Sequence, residues 1–255
     1  MLASRRKIKI LRSLVSLLKL ILTFFVKIIF KIRSNKYSVY ISEAFYSPWT
    51  DDMDFNVIFL RIKEFTMLDK VRLYNSWSLI ENIKNKEDGI LIEVGTWRGG
   101  SAMLIASRLL NLKMKNKFYA FDTFEGVIKA SNKDNYYKNN EHSDCNFEEV
   151  KKQITKQNLY NLKLIKGIFP DELNKDSELH DQKIIFSHID VDTYKSAKDI
   201  LNYIWNKMCS GGIIVFDDYG FHQANGVRVC LDEFVSNNKC FSHYLNTGQY
   251  LLIKL

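Results

Sequence analysis

KIIFSHIDVDTYKSAKDILNYIWNKMCSGGIIVFDDYG (183–220) reads as strand, helix, strand, with an acidic tip on each strand. KIIFSHI and GGIIVF are short apolar runs, and the stretch between them is long enough for the crossover that a parallel pair requires. Asp190, Asp192, Asp217 and Asp218 therefore open onto one edge of one sheet. Ligands of open α/β sheets bind there, outside the carboxyl ends of the strands. Carboxylates gathered at one point repel one another unless a cation or a proton is shared. The pattern points to an enzyme with a metal-dependent site.

Working outward, GILIEV (89–94), KFYAFD (117–122) and LKLIKG (162–167) are three further strands. Helical patterns cover about 56–68 and 70–86, the stretch to about 112, the stretch from Asn146 with Glu149 in the capping-box position, and about 224–238. CFSHYLNTGQYLLIKL (240–255) is two strand-like runs around a Gly-containing turn, hence an edge hairpin. The expected fold is α/β: a doubly wound, mostly parallel sheet of Rossmann-like type over residues 37–255, with a C-terminal antiparallel hairpin. Residues 34–55 read as a connector. VIKASNKDNYYKNNEHSDC (127–145) lacks periodicity and reads as a lid or a disordered loop, with Tyr136, Tyr137 and His142 as candidate substrate contacts.

The first strand runs into EVGTWRGGS (93–101), where Gly95 permits a tight turn and Gly99 and Gly100 a close backbone approach at a helix start. The spacing departs from the dinucleotide G-x-G-x-x-G, which counts against NAD. Asp122 closes the second strand, where an adenosine ribose is commonly held. Alone, each of these is also an ordinary turn.

Taken in order, EVGTWRGGSA, AFDTFEG, KGIFPDEL, HIDVDTYKS and GGIIVFDDYG resemble the macrocin O-methyltransferase (TylF-type) family. KVRLYNSWSLIENI (70–83) and GVRVCLDEF (226–234) are similar to its flanking helices, and the likeness covers roughly 60–240. The resemblance implies a methyltransferase that moves a methyl group from S-adenosylmethionine (SAM) to a sugar hydroxyl with Mg²⁺. It implies that Glu93, Gly95, Thr96, Gly99, Gly100 and Ser101 surround the methionine end of SAM and that Asp122 takes the ribose. Gly167 and Phe169 would border the adenine. Asp190, Asp217 and Asp218 would hold the metal, with Asp190 also the catalytic base. Asp192 is either a neighbour of the metal or a helix cap, His222 a candidate rim residue, and His188 a strand residue that packs. The acceptor stays open among sugars of glycan, glycolipid or natural-product biosynthesis, and a homo-oligomer is compatible. Two rivals stand beside this reading: catechol-like O-methylation with the same metal geometry, and a non-catalytic, membrane-tethered binding protein.

The net charge of +8 is local. Ten of the 37 Lys and Arg lie in residues 1–36, which hold no acid, leaving 27 basic against 29 acidic side chains in the rest. The body is therefore no nucleic-acid binder by bulk charge. In IKILRSLVSLLKLILTFFVKIIFKIR (8–33), Arg12, Ser16, Lys19, Thr23, Lys27 and Lys31 form one polar stripe on an otherwise apolar helix. Such a helix suits the headgroup layer of an anionic membrane; a spanning helix and docking on a protein partner are the alternatives. Cys145, Cys209, Cys230 and Cys240 have no metal or redox spacing. With no signal peptide evident they read as reduced thiols, giving a cytoplasmic protein peripheral at the inner membrane face.

Overall fold

Residues 2–32, 36–38, 46–173 and 177–255 are described in the computed structural model, with side chains from Ile10 onward. The chain divides into two units, Met1–Ser47 and Pro48–Leu255.

In the second unit, five short apolar runs form the parallel strands β1 (Ile90–Val94), β2 (Phe118–Asp122), β3 (Leu162–Lys166), β4 (Ile184–Ile189) and β5 (Met208–Phe216). The hairpin β6 (Cys240–Tyr244) and β7 (Tyr250–Lys254) joins antiparallel beside β5, giving the order β3-β2-β1-β4-β5-β7-β6. The chain winds outward from β1 to β3, then returns to β4 on the other side of β1. The gap between β1 and β4 is therefore the switch point where such sheets bind ligands. Glu93 stands opposite His188 in this pair, and Val94 opposite Ile189.

The helices α2 (Met53–Ile62), α3 (Lys70–Glu81), α4 (Gly100–Asn111) and α5 (Phe147–Lys156) cover one face, around Phe55, Trp77, Leu104 and Phe186. On the other face α6 (Tyr194–Trp205) and α7 (Asn225–Asn237) pack Ile200, Leu201 and Leu231 against Ile92 and Ile214. Caps set the helix starts. Asp69 accepts from the amides of Val71 and Arg72 at 2.9 and 3.0 Å, and Asn146 from Glu148 and Glu149 at 2.9 and 3.2 Å.

Two helix boundaries differ from the sequence reading. The 56–68 pattern begins earlier, at Met53, and tightens into a 3-10 turn over Lys63–Phe65. The 70–86 pattern ends at Glu81 and continues as turns. Residues 127–142 form an ordered strap, closed by Val127 N–H donating to the Glu141 carbonyl and Asn140 N–H to the Val127 carbonyl, both at 2.8 Å.

The first unit contains α1 (Leu2–Ile29). Leu11, Leu14, Leu18, Ile21, Phe25 and Ile28 on its apolar arc are 45–63% exposed, whereas Lys19, Thr23 and Lys27 are half-buried. No helix among the described residues is long and apolar enough to cross a membrane, so the spanning alternative for residues 8–33 gains no support. Part of the 34–55 connector lies outside the described residues.

Candidate active site

Gly95 follows β1 with φ 88°, and a Cβ there would lie 1.7 Å from the Asp190 carbonyl oxygen. Only glycine lets the turn pass so close to the end of β4. Asp122, the last residue of β2, pins this turn from the other side. Its Oδ2 accepts from the Thr96 and Trp97 amides at 2.7 and 2.8 Å, and its Oδ1 from the Phe124 amide at 2.6 Å. Carboxylate bonds of this charge-assisted kind are the strong ones, so the turn is held in shape without a ligand.

A cavity of about 380 Å³ opens in front of these strand ends, a size usual for small-molecule sites. Gly95, Asp122, Tyr136, Tyr137, Gly167, Phe169, Asp190, Asp192, Asp217 and Asp218 all line it. The Phe169 ring leans on Phe121 with centroids 4.6 Å apart, which makes a flat apolar end. Glu93, Thr96, Gly99, Gly100, Ser101 and His222 are not on the wall. Gly99 and Gly100 serve packing, because Cβ atoms there would meet Val150 at 2.7 Å and the Phe65 carbonyl oxygen at 2.6 Å. Glu93 follows Leu91 at the strand period of two, on the face covered by α2–α5. It is fully buried, its Oε1 2.9 Å from His188 Nδ1 and its Oε2 accepting from the Thr96 hydroxyl at 3.3 Å. Glu93 thus supports the turn from beneath.

The acids of β4 and β5 form the opposite end. Asp190, Asp217 and Asp218 each offer a carboxylate oxygen, and the three oxygens lie within 4.8 Å of one another. They are not equivalent. Burial, then the charges of Asp218, Asp217 and Asp192, hold the Asp190 carboxyl well above the usual range. Burial and the neighbouring Asp217 push Asp218 up to about 6. For Asp217 burial acts in the same direction but is outweighed by His188, Arg72 and Gln249, so it stays below the usual range. The Arg72 guanidinium pairs with Asp217 Oδ2, and the Gln249 amide donates to Oδ1 at 2.9 Å. His188 is wholly buried, with Nε2 3.9 Å from Asp217 Oδ1, an ion-pair distance too long for a hydrogen bond. Burial alone would lower the His188 pKa; the two flanking carboxylates raise it to about 9. An all-oxygen set of crowded carboxylates fits a hard divalent cation such as Mg²⁺.

The strap closes the third side. Asp134, 4% exposed, accepts from the Ser131 amide and hydroxyl and from the Tyr194 amide, all at 2.8 Å. It therefore caps α6, the role weighed for Asp192. Asp192 instead takes a left-handed φ of 63° and donates its amide to Asp218 Oδ2 at 3.1 Å. Lys129 pairs with Asp171 and Asp199, each at 2.7 Å, and Lys133 with Glu233 at 2.7 Å. So fastened, the strap buries Tyr137 beside Asp192. Burial and that carboxylate raise the phenol's pKa. Tyr136 packs edge-on against Tyr137 at 5.3 Å and His142 tilts against it at 5.9 Å. Arg72, Gln249 and Asp134 had no signal in the sequence, since their bonds to Asp217 and to the start of α6 join residues far apart in the chain.

A model of the macrocin-O-methyltransferase (TylF) family matches residues 60–246. The chain belongs to this family. It is similar to the demethyldecarbamoylnovobiocin O-methyltransferase of Streptomyces niveus, 26% identical over 166 residues that make up 60% of this chain and 62% of that protein. It is likewise similar to the mycinamicin III 3''-O-methyltransferase of Micromonospora griseorubida, 23% identical over 60% of this chain and 65% of that one. The chain thus spans less than two thirds of the length of the curated relatives it matches. Among solved structures, the O-methyltransferase NovP shares the fold with a TM-score of 0.64 and 21% identity, over 74% of this chain and 82% of that chain. The matched region contains every cavity residue named above, and α1 lies outside it.

Proposed function

We propose that the protein transfers a methyl group from SAM to a hydroxyl of a sugar, with Mg²⁺ held by Asp190, Asp217 and Asp218. The observation that carries this is the meeting, in one cavity, of the Asp122-pinned turn and the three crowded carboxylates. The turn and the apolar end at Phe169 hold the cofactor, and Asp122, which lines the cavity and keeps acceptor capacity on Oδ1, takes the ribose hydroxyls. Held by Asp190, Asp217 and Asp218, Mg²⁺ would supply Lewis-acid chemistry that makes a sugar hydroxyl easier to deprotonate. Asp190, ionised once a cation offsets the neighbouring carboxylates, takes the hydroxyl proton as the acceptor oxygen attacks. The O–CH₃ bond forms as the S–CH₃ bond breaks, and the sulfonium becomes a neutral thioether. Tyr137 and the strap exclude water, and alignment of oxygen, methyl and sulfur supplies much of the acceleration. Incubation with methyl-labelled SAM, nucleotide sugars and polyprenyl-linked glycans, with and without Mg²⁺, tests this. Binding of SAM with no label transferred to any sugar counts against it and favours the non-catalytic rival.

One observation favours a second reading. Tyr136, Tyr137 and Phe221 line the cavity with aromatic rings outside the cofactor turn, which suits a flat catechol-like diol as well as a sugar face. Including catechols in the same assay separates the two.

The acceptor context we propose is a glycan or glycolipid at an anionic membrane, reached through residues 1–36. Residues 1–47 hold ten basic side chains and one acid, Glu43, so internal pairing leaves most of the positive charge unmatched by acids of this unit. Each Lys or Arg near an anionic surface contributes about 1 kcal/mol, and the exposed apolar arc of α1 adds burial in the headgroup layer. Cosedimentation with phosphatidylglycerol vesicles, weakened by salt and absent with phosphatidylcholine alone, is the expected result. Equal binding to both lipids would remove the electrostatic part.

A further inference from the structure

Of the three clustered aspartates, only Asp217 has a Lys or Arg partner among the described residues. That partner, Arg72, comes from the first turn of α3 and is held in place by other contacts. Its Nε donates to Asp69 Oδ2 at 2.9 Å and its Nη2 to the Met67 carbonyl at 3.2 Å, and the guanidinium lies 5.0 Å from the centroid of the Phe221 ring. Swinging away from Asp217 would break all of these, so the charge stays when a cation arrives. Guanidinium does not lose its proton in proteins, so this positive charge is present at any working pH.

We infer that Arg72 is a built-in counter-ion that keeps the empty triad folded and weakens its hold on a divalent cation. The inference rests on the metal reading above and goes one step further. A cation bound between Asp190, Asp217 and Asp218 would share the Asp217 carboxylate with a guanidinium in direct contact with it, and like charges at such range repel strongly in a poorly solvated site. Orientation of Asp217 does not need Arg72, because the Gln249 amide, itself fixed by Asn75 at 2.7 Å, holds Oδ1. Removing the charge should therefore tighten cation binding while making the metal-free protein less stable, since a buried carboxylate then lacks its counter-charge. A residue that merely packed or oriented would give the opposite sign for the cation.

The test is calorimetric titration of the metal-free full chain with Mg²⁺ alone, and separately with S-adenosylhomocysteine (SAH) as a probe of an intact cofactor end. Arg72→Gln keeps a hydrogen-bond donor without the charge, Arg72→Met removes both, and Arg72→Lys keeps the charge. Expected for Arg72→Gln and Arg72→Met are Mg²⁺ binding tighter by at least about fivefold, a lower metal-free Tm, and SAH affinity within about twofold of the parent; Arg72→Lys should bind Mg²⁺ like the parent. Mg²⁺ binding that is unchanged or weaker in a neutral variant that still binds SAH overturns the inference. Should neither neutral variant fold, Mg²⁺ affinity in Arg72→Lys that departs tenfold from the parent overturns it as well. A parent protein that binds SAH but no Mg²⁺ defeats the metal reading itself, a result distinct from a failure of Arg72 alone.

Discussion

Asp122 and Asp190 stand on either side of β1, one at the end of β2 and the other just past β4, and their carboxylates meet opposite surroundings. Asp122 receives three backbone amides at 2.6–2.8 Å. Asp190 faces Asp218 and Asp217, and burial followed by their charges raises its pKa. An acid at a strand tip can thus complete the backbone or wait for a cation, and the donors around it decide which. Asp217 lies between the extremes: it belongs to the cation triad yet has Arg72 and Gln249 on its two oxygens.

The largest expected effect separates Asp217 from Asp218. Asp217→Ala leaves the Arg72 guanidinium without its buried carboxylate and should cost about 3–5 kcal/mol of metal-free stability. Asp218→Ala removes one of a set of mutually repelling charges and should cost little, or raise the metal-free Tm. Chemical denaturation of both variants in EDTA measures the difference; equal losses would mean that the triad is symmetric after all.

Next comes Asp122→Ala. Without the carboxylate the amides of Thr96, Trp97 and Phe124 lose their acceptor, and a hydrogen bond to a charged group is worth about 1.5–3 kcal/mol. SAH affinity should fall by at least about tenfold while Mg²⁺ affinity stays near the parent value. SAH binding within twofold of the parent would show that the turn keeps its shape unaided.

The smallest effect is on pH dependence. Asp218 sits at about 6 against 3.8 for an unperturbed carboxyl, and Asp190 and Asp192 are shifted in the same direction. Above the ordinary carboxyl value the folded chain holds protons that the unfolded chain has released. The stability these groups contribute is therefore greatest below that value and is lost as pH rises through 6. Over this interval the Tm of the metal-free parent should lose a few degrees more than that of Asp218→Asn, and saturating Mg²⁺ should remove the difference. Parallel pH profiles for the two proteins would contradict the assignment.

Sequence reading succeeded where the signal is local. Strand runs of five or six residues ending in acids placed Asp122, Asp190, Asp217 and Asp218 at one edge of the sheet. It failed where partners are far apart or both faces are covered. Arg72 and Asp217 are 145 residues apart, with nothing in either neighbourhood to announce the pair. Glu93 sits in a strand buried on both faces, so alternation could not say that its carboxylate turns toward His188, away from the cavity. The strap lacked periodicity because side chains bonded to the backbone hold it: Asp134 at α6, Asn139 on the Ala130 amide, with Asn139 and Asn140 in the left-handed region that asparagine tolerates.

The central claim is that Asp190, Asp217 and Asp218 share one cation. Titration of the metal-free full chain with Mg²⁺ at neutral pH tests it most directly, with the melting temperature followed alongside. The account predicts one ion per chain and a Tm that rises with Mg²⁺ concentration, since at a hundredfold excess over Kd binding to the folded form adds about 2.7 kcal/mol. Both responses should vanish in Asp190→Ala and Asp218→Ala while SAH still binds. Methyl transfer at full rate in excess EDTA, from protein shown to be metal-free by elemental analysis, would contradict the claim and leave these acids with a role in the fold alone.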